Sequence, residues 1–184
     1  MNFTSYLDYF KSIIDYKDGV LPELYQDPEY LDYTKLNWAR LNRWMKTGKL
    51  LDSTVEKLKD IKSAQHWIVI TEPWCGDASH IIPFIELMSR ETEMITVSYE
   101  LRDSQPFRIE NYLTNGSKSI PVLIIQDAQG NDLAIWGPRP KECQTFFMTE
   151  KNKGSDFEAL KLALQNWYNA DKGIQIQQEI INLL

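Results

Sequence analysis

Val69-Ile70-Thr71-Glu72-Pro73-Trp74-Cys75-Gly76-Asp77-Ala78-Ser79-His80 joins an apolar run to a helical pattern, with a cysteine at the joint. Upstream, Trp67-Ile68-Val69-Ile70 is a β-branched and aromatic segment of the kind that forms a fully buried strand. Downstream, Ala78, Ile81, Ile82, Ile85 and Met88 recur at the spacing of one helix face. Cys75 is therefore expected where a strand ends and a helix begins. The unpaired N–H groups and positive dipole end of a helix favour an anion, so this position predicts a thiol biased toward thiolate.

Working outward, Pro83 falls inside the helical run, where its missing N–H and its ring predict a bend. Ile120-Pro121 opens the apolar segment Val122-Leu123-Ile124-Ile125, and a proline at the first residue of a strand costs no ladder hydrogen bond. Later stands Trp136-Gly137-Pro138-Arg139-Pro140. Together these stretches resemble the thioredoxin family, whose active-site strand delivers Trp-Cys-Gly-x-Cys onto a helix. Trp74, Cys75 and Gly76 match, and Ala78 stands where the resolving cysteine would be. The resemblance covers roughly residues 60–150. It implies that Ile120-Pro121 is a cis bond facing Cys75 and that backbone beside Pro121 is open to a substrate strand. The Trp136–Pro140 stretch is similar to one in a thioredoxin-like subfamily with Trp-Cys-Gly-Asp-Ala.

The flanking segments extend this unit. Phe3, Leu7, Phe10 and Ile14 predict an amphipathic helix over 3–16, with Tyr6, Tyr9 and Tyr16 half-buried, and Gly19 with Pro22 marks a break. Residues 20–29 read as a loop around Pro22 and Pro28. Trp38, Leu41 and Met45 give a second helix ending before Gly48, with Arg40, Arg43 and Lys46 on a solvated face. Ser53-Thr54-Val55-Glu56 reads as a capping box starting a third. Beyond the Cys75 helix come a strand at 95–99, a short helix over 106–114, strands at 121–126 and 132–136 around a hairpin loop, and a helix from Pro138 to Thr149. A capping box at Ser155–Glu158 opens another helix, and Ile174–Leu184 is expected to dock within the chain.

The order βαβαββα predicts an α/β chain of thioredoxin-like fold, a central mixed sheet of about four strands with helices on both faces. We expect one domain over 1–184: an N-terminal helical extension over 1–62, a core over 63–150 and a C-terminal helical segment over 151–184. Hydrophobic content of 43% and charged content of 25% are those of an ordinary globular protein. A net charge of −6 argues against nucleic acid, whose phosphates call for Lys and Arg. No apolar run approaches a membrane span, Met1-Asn2-Phe3-Thr4-Ser5 lacks signal-peptide character, and two cysteines are too few for a disulfide framework, so a cytoplasmic protein is expected. The two cysteines and two histidines, at no ligand spacing, predict neither metal nor cofactor.

Three readings of Cys75 stay open at this point. It is a reactive monothiol exchanging with protein or low-molecular-weight thiols, or Cys143 resolves it from the helix after the hairpin, or it sits unreactive in a thioredoxin-shaped binding module, monomeric or homodimeric. Trp74, Gly76, Ile120 and Pro121 form its expected substrate-binding setting. Helix dipole and Arg139 would stabilise a thiolate, whereas Glu72 and Asp77 would oppose it. Asp77 has a second role open to it, stabilising the first helical turn. His80, roughly 140° around the helix from Cys75, is a poor base for that thiol.

Overall fold

The computed structural model describes residues 1–17 and 21–184; Gly19 and Val20, part of the break and loop read from sequence, lie outside the described residues. Strand β1 (Gln65–Thr71) is an inner strand of a four-stranded sheet. β2 (Ile95–Leu101) pairs parallel with β1, which requires a crossover, and helix α4 (Gly76–Ser89) supplies it. β3 (Val122–Asp127) returns antiparallel to β1, and a hairpin leads to β4 (Asp132–Trp136) on the edge.

Successive side chains of a strand point to opposite faces. Trp67, Ile68, Val69 and Ile70 are all buried, so both faces of the centre strand are covered, as the apolar run predicted. Pro83 lies inside α4. The expected fold class therefore holds: a mixed sheet with helices on both faces. No helix among the described residues is long and apolar enough to cross a membrane.

Helix α1 (Phe3–Ile14) buries Tyr6, Phe10 and Ile13, with Phe3, Leu7 and Ile14 at the margin of that face. Tyr6 is thus a core residue rather than a half-buried one, stacked on Tyr99 of β2 with ring centroids 5.1 Å apart. Part of the segment read as a loop is a 3-10 turn, Glu23–Gln26, and Pro28 opens helix α2 (Pro28–Thr47), where its missing N–H costs nothing. The Asp27 carboxylate caps α2 by accepting from the Glu29 N–H.

Two capping readings need correction. Helix α3 (Asp52–Lys59) starts after Leu51 with no side-chain cap, because Ser53 is already inside it and Thr54 is buried. Asp156, not Ser155, caps helix α6 (Phe157–Asp171) by accepting from Ala159 N–H. The helix read over 106–114 is only a 3-10 turn, Arg108–Asn111, preceded by a cis Gln105–Pro106 bond and a left-handed Phe107. Helix α5 spans Lys141–Asn152, starting after Pro140 rather than at Pro138.

Helix α7 (Ile174–Ile181) docks on the body of the molecule, burying Ile176 and Ile180. Its Gln177 is fully buried; the amide oxygen accepts from Leu51 N–H and the amide nitrogen donates to Lys49 O and Gly173 O. Glu179 of the same helix accepts from the Trp136 indole and from Lys141 N–H.

Candidate functional site

Cys75 is the N-cap residue of α4, in extended conformation, where β1 hands over to the helix. Its Sγ donates a hydrogen bond to the Ile120 carbonyl oxygen at 3.3 Å, and Ile120–Pro121 is cis. Behind Pro121 sits Gly137. Its φ of +124° lies where side chains are rarely tolerated, and a Cβ there would collide with Pro121 O. The Gly137–Pro138 bond is also cis, so the Trp136–Pro140 stretch forms a turn pressed against the Pro121 backbone.

The thiol itself departs from the thiolate expectation. Cys75 is only 6% exposed. Burial, reinforced by the negative charge of Asp77, pushes its thiol up to about 12, outweighing the first-turn amides and Arg139. Arg139 does favour the thiolate, as expected, but is outweighed, and its guanidinium is committed to other groups. Its Nε donates to Asp77 Oδ1 at 2.9 Å, its Nη2 lies 2.7 Å from Oδ2, and its Nη1 donates to Gln144 Oε1. Asp77 also accepts from the Tyr168 hydroxyl at 2.8 Å, so three donors hold its carboxylate.

Cys143 lies in α5 with no exposed surface, and burial pushes its thiol up to about 12 as well. Both cysteines are free. Ala78, in the place of a resolving cysteine, is buried in α4. Among the described residues no group of three or more His, Cys, Asp or Glu side chains could hold a metal.

Helices outside the sheet complete the site; the helices are legible in the sequence, their part in the site is not. Asn37 of α2 donates to the Pro73 carbonyl at 3.1 Å, tying that helix to the turn before Cys75. Tyr33 lies over Gly76, where any Cβ would meet its hydroxyl; the glycine is needed for that approach. Trp74 is half-buried beneath the Arg102 guanidinium, 4.7 Å from its ring centroid. Arg40, expected on a solvated face, is instead buried against the Tyr33 ring. The reason is register: it shares a helix face with Asn37 and Trp44, both of which turn inward.

His80 is buried too. Its Nδ1 accepts from the Trp44 indole at 2.9 Å, and its ring stacks on Tyr168 at 4.5 Å. Burial and then the charges of Arg40 and Arg43 lower it to about 3, so it is neutral, a structural acceptor and not a base for Cys75.

Together α2, the Cys75 turn, the Ser119–Ile120 backbone, α5 and α6 enclose a cleft of about 700 Å³, within the range of small-molecule sites. Cys75, Trp74, Ile120, Tyr33, Phe157 and Arg40 are among its lining residues.

A family model described as thioredoxin matches residues 24–153, taking in α2 and α3 as well as the sheet. Among solved structures, an HIV epitope-scaffold aligns with a TM-score of 0.59 at 14% identity, over 100% of this chain and 97% of that one. A protein of unknown function from Pseudomonas aeruginosa aligns with a TM-score of 0.53 at 16% identity, over 95% and 99% respectively. At such identities these two likenesses speak to fold alone. No curated protein matches the chain.

Proposed function

The chain belongs to the thioredoxin family, and from that premise we propose that it works as a binding protein of thioredoxin shape, receiving its ligand in the cleft floored by Cys75. The observation that carries this reading is the state of the thiol: buried, donating to Ile120 O, and pushed up to about 12. At neutral pH the thiol is therefore protonated, and the thiolate is the nucleophile in exchange. With Ala78 in place of a resolving thiol, turnover through positions 75 and 78 is closed on chemical grounds. The Trp74–Ala78 run and the Trp136–Pro140 turn fit a thioredoxin-like subfamily that lacks the second cysteine. In this reading Trp74, Gly76, Ile120 and Pro121 are contact residues, and Asp77 and Arg139 fix the turn.

A second reading is favoured by one specific fact: Cys75 lines the cleft beside the cis-Pro121 backbone. There the Cys75 thiolate attacks a disulfide of a protein or small thiol partner, forming a mixed disulfide and expelling the other sulfur as a thiolate, and an external thiol later frees Cys75.

Alkylation distinguishes the two. Native protein treated with iodoacetamide at about pH 7.5, with the site assigned by peptide mass, is expected to modify Cys75 about a hundredfold or more slower than the urea-unfolded chain. A native rate at or above the unfolded one would replace the binding reading with the exchange reading.

A further inference from the structure

Arg40 is a buried cation that no carboxylate pairs with among the described residues. It is 9% exposed, midway along α2, and lines the cleft. Its Nη1 donates to Asn37 Oδ1 at 2.9 Å, whereas its Nε is buried without a hydrogen-bond partner. The other basic side chains of the cleft wall are each paired: Arg139 with Asp77 at 2.7 Å, Arg102 with Asp103 at 2.5 Å, Lys118 with Glu110 at 3.2 Å, and Lys161 with Glu158 at 2.6 Å. Among the described residues Arg40 has no such ion pair. A guanidinium does not shed its proton to escape burial, so its charge persists in a low-dielectric setting. The neighbouring His80 is neutral and adds no second positive charge; the Arg40 charge is itself one cause of that neutrality.

We propose that the cleft takes a small organic anion, a carboxylate on an apolar or aromatic body, with Arg40 as the countercharge and Tyr33, Trp74 and Phe157 against the body. The proposal rests on the binding reading above and names its ligand class. A planar carboxylate matches the guanidinium fork, and an unpaired buried cation is an expensive arrangement that an anion relieves. The volume of about 700 Å³ suits a small molecule. The net charge of −6 works against anions in general, so affinity here depends on the local, unpaired Arg40. An anion in this cleft also favours the protonated thiol at Cys75, consistent with binding rather than exchange.

The test uses 2-naphthoate and its neutral isostere 2-naphthamide, titrated by calorimetry into the full-length protein and into Arg40→Gln, Arg40→Lys and Arg43→Gln. Arg43, exposed on the same helix, is the control. Naphthoate is expected to bind the unsubstituted protein about tenfold or more tighter than naphthamide. Arg40→Gln abolishes that preference while leaving naphthamide affinity within about twofold; Arg40→Lys keeps part of it, and Arg43→Gln keeps all of it. A preference that survives Arg40→Gln, or none in the unsubstituted protein, overturns the inference. Should Arg40→Gln not fold, the Arg40 Nε–H resonance of the unsubstituted protein decides: it shifts with naphthoate and not with naphthamide, and an unmoved resonance overturns the proposal. Naphthamide bound as tightly as naphthoate removes the anion and leaves the cleft as a binding site. Rapid alkylation of Cys75 removes the non-catalytic reading and leaves the anion preference intact.

Discussion

Arg139 grips Asp77 through both carboxylate oxygens, at 2.9 Å and 2.7 Å, across 62 residues of sequence. The pair connects the turn after β4 to the first turn of α4, two residues beyond the cysteine, and its two charges act on the thiol in opposite directions. Asp77→Asn is expected to lower the Cys75 thiol and speed its alkylation about tenfold at fixed pH, and Arg139→Gln to slow it further. Breaking the pair from either side also costs about 3 kcal/mol in urea unfolding. Equal alkylation rates in the two variants would show that burial alone sets the thiol.

Glu72 supplies the pH dependence. It is 7% exposed, and burial raises its carboxyl to about 7. Because the folded value is raised, the protonated form's contribution to stability is complete below the ordinary carboxylate range, near 4.5, and is lost as pH rises through 7. The gap of about 2.5 pH units corresponds to at most about 3 kcal/mol. Glu72→Gln is therefore expected to gain on the unsubstituted protein between about pH 4.5 and about pH 7, read as urea midpoints at each pH. A constant difference across that interval would contradict the assignment.

Gly137→Ala should be among the costlier small substitutions. The position combines a φ of +124° with the carbonyl of Pro121 where a Cβ would stand. A loss of about 2–4 kcal/mol is expected from denaturant unfolding. Gly130→Ala, at a positive φ but with open space around it, is the comparison and should lose less.

Ala78→Cys restores the missing sulfur. Positions 75 and 78 are the N-cap and first turn of α4, a separation at which a disulfide closes without large backbone movement. Oxidised Ala78→Cys is expected to lose about two mass units and regain them on treatment with dithiothreitol. Failure to oxidise would mean that the covering residues, Tyr33 foremost, hold the turn too tightly.

The strand, the cysteine turn, Pro83 in α4 and the Ile120–Pro121 element were legible because each is written in a few adjacent residues whose spacing carries its geometry. The fate of the thiol was not. Helix-end position and nearby charges can be read along the chain, whereas the burial that overrides them comes from segments distant in sequence, with Ile120 at the sulfur and Tyr33 over the neighbouring Gly76. Arg40 was misread for the same reason. A periodic pattern identifies a helix face, but which polar residues on that face turn inward depends on what packs there, here Asn37 on Pro73 and Trp44 on His80. Tyr168, which reaches Asp77 from 91 residues away, had no local mark at all.

Helix α7 binds two parts of the molecule that never touch in sequence, Gln177 holding the Lys49–Leu51 link and Glu179 holding Trp136 and Lys141. It therefore behaves as a keystone. Undocking it would release the approach to α3 and the hairpin exit in one event, so both regions should gain amide exchange together rather than in sequence.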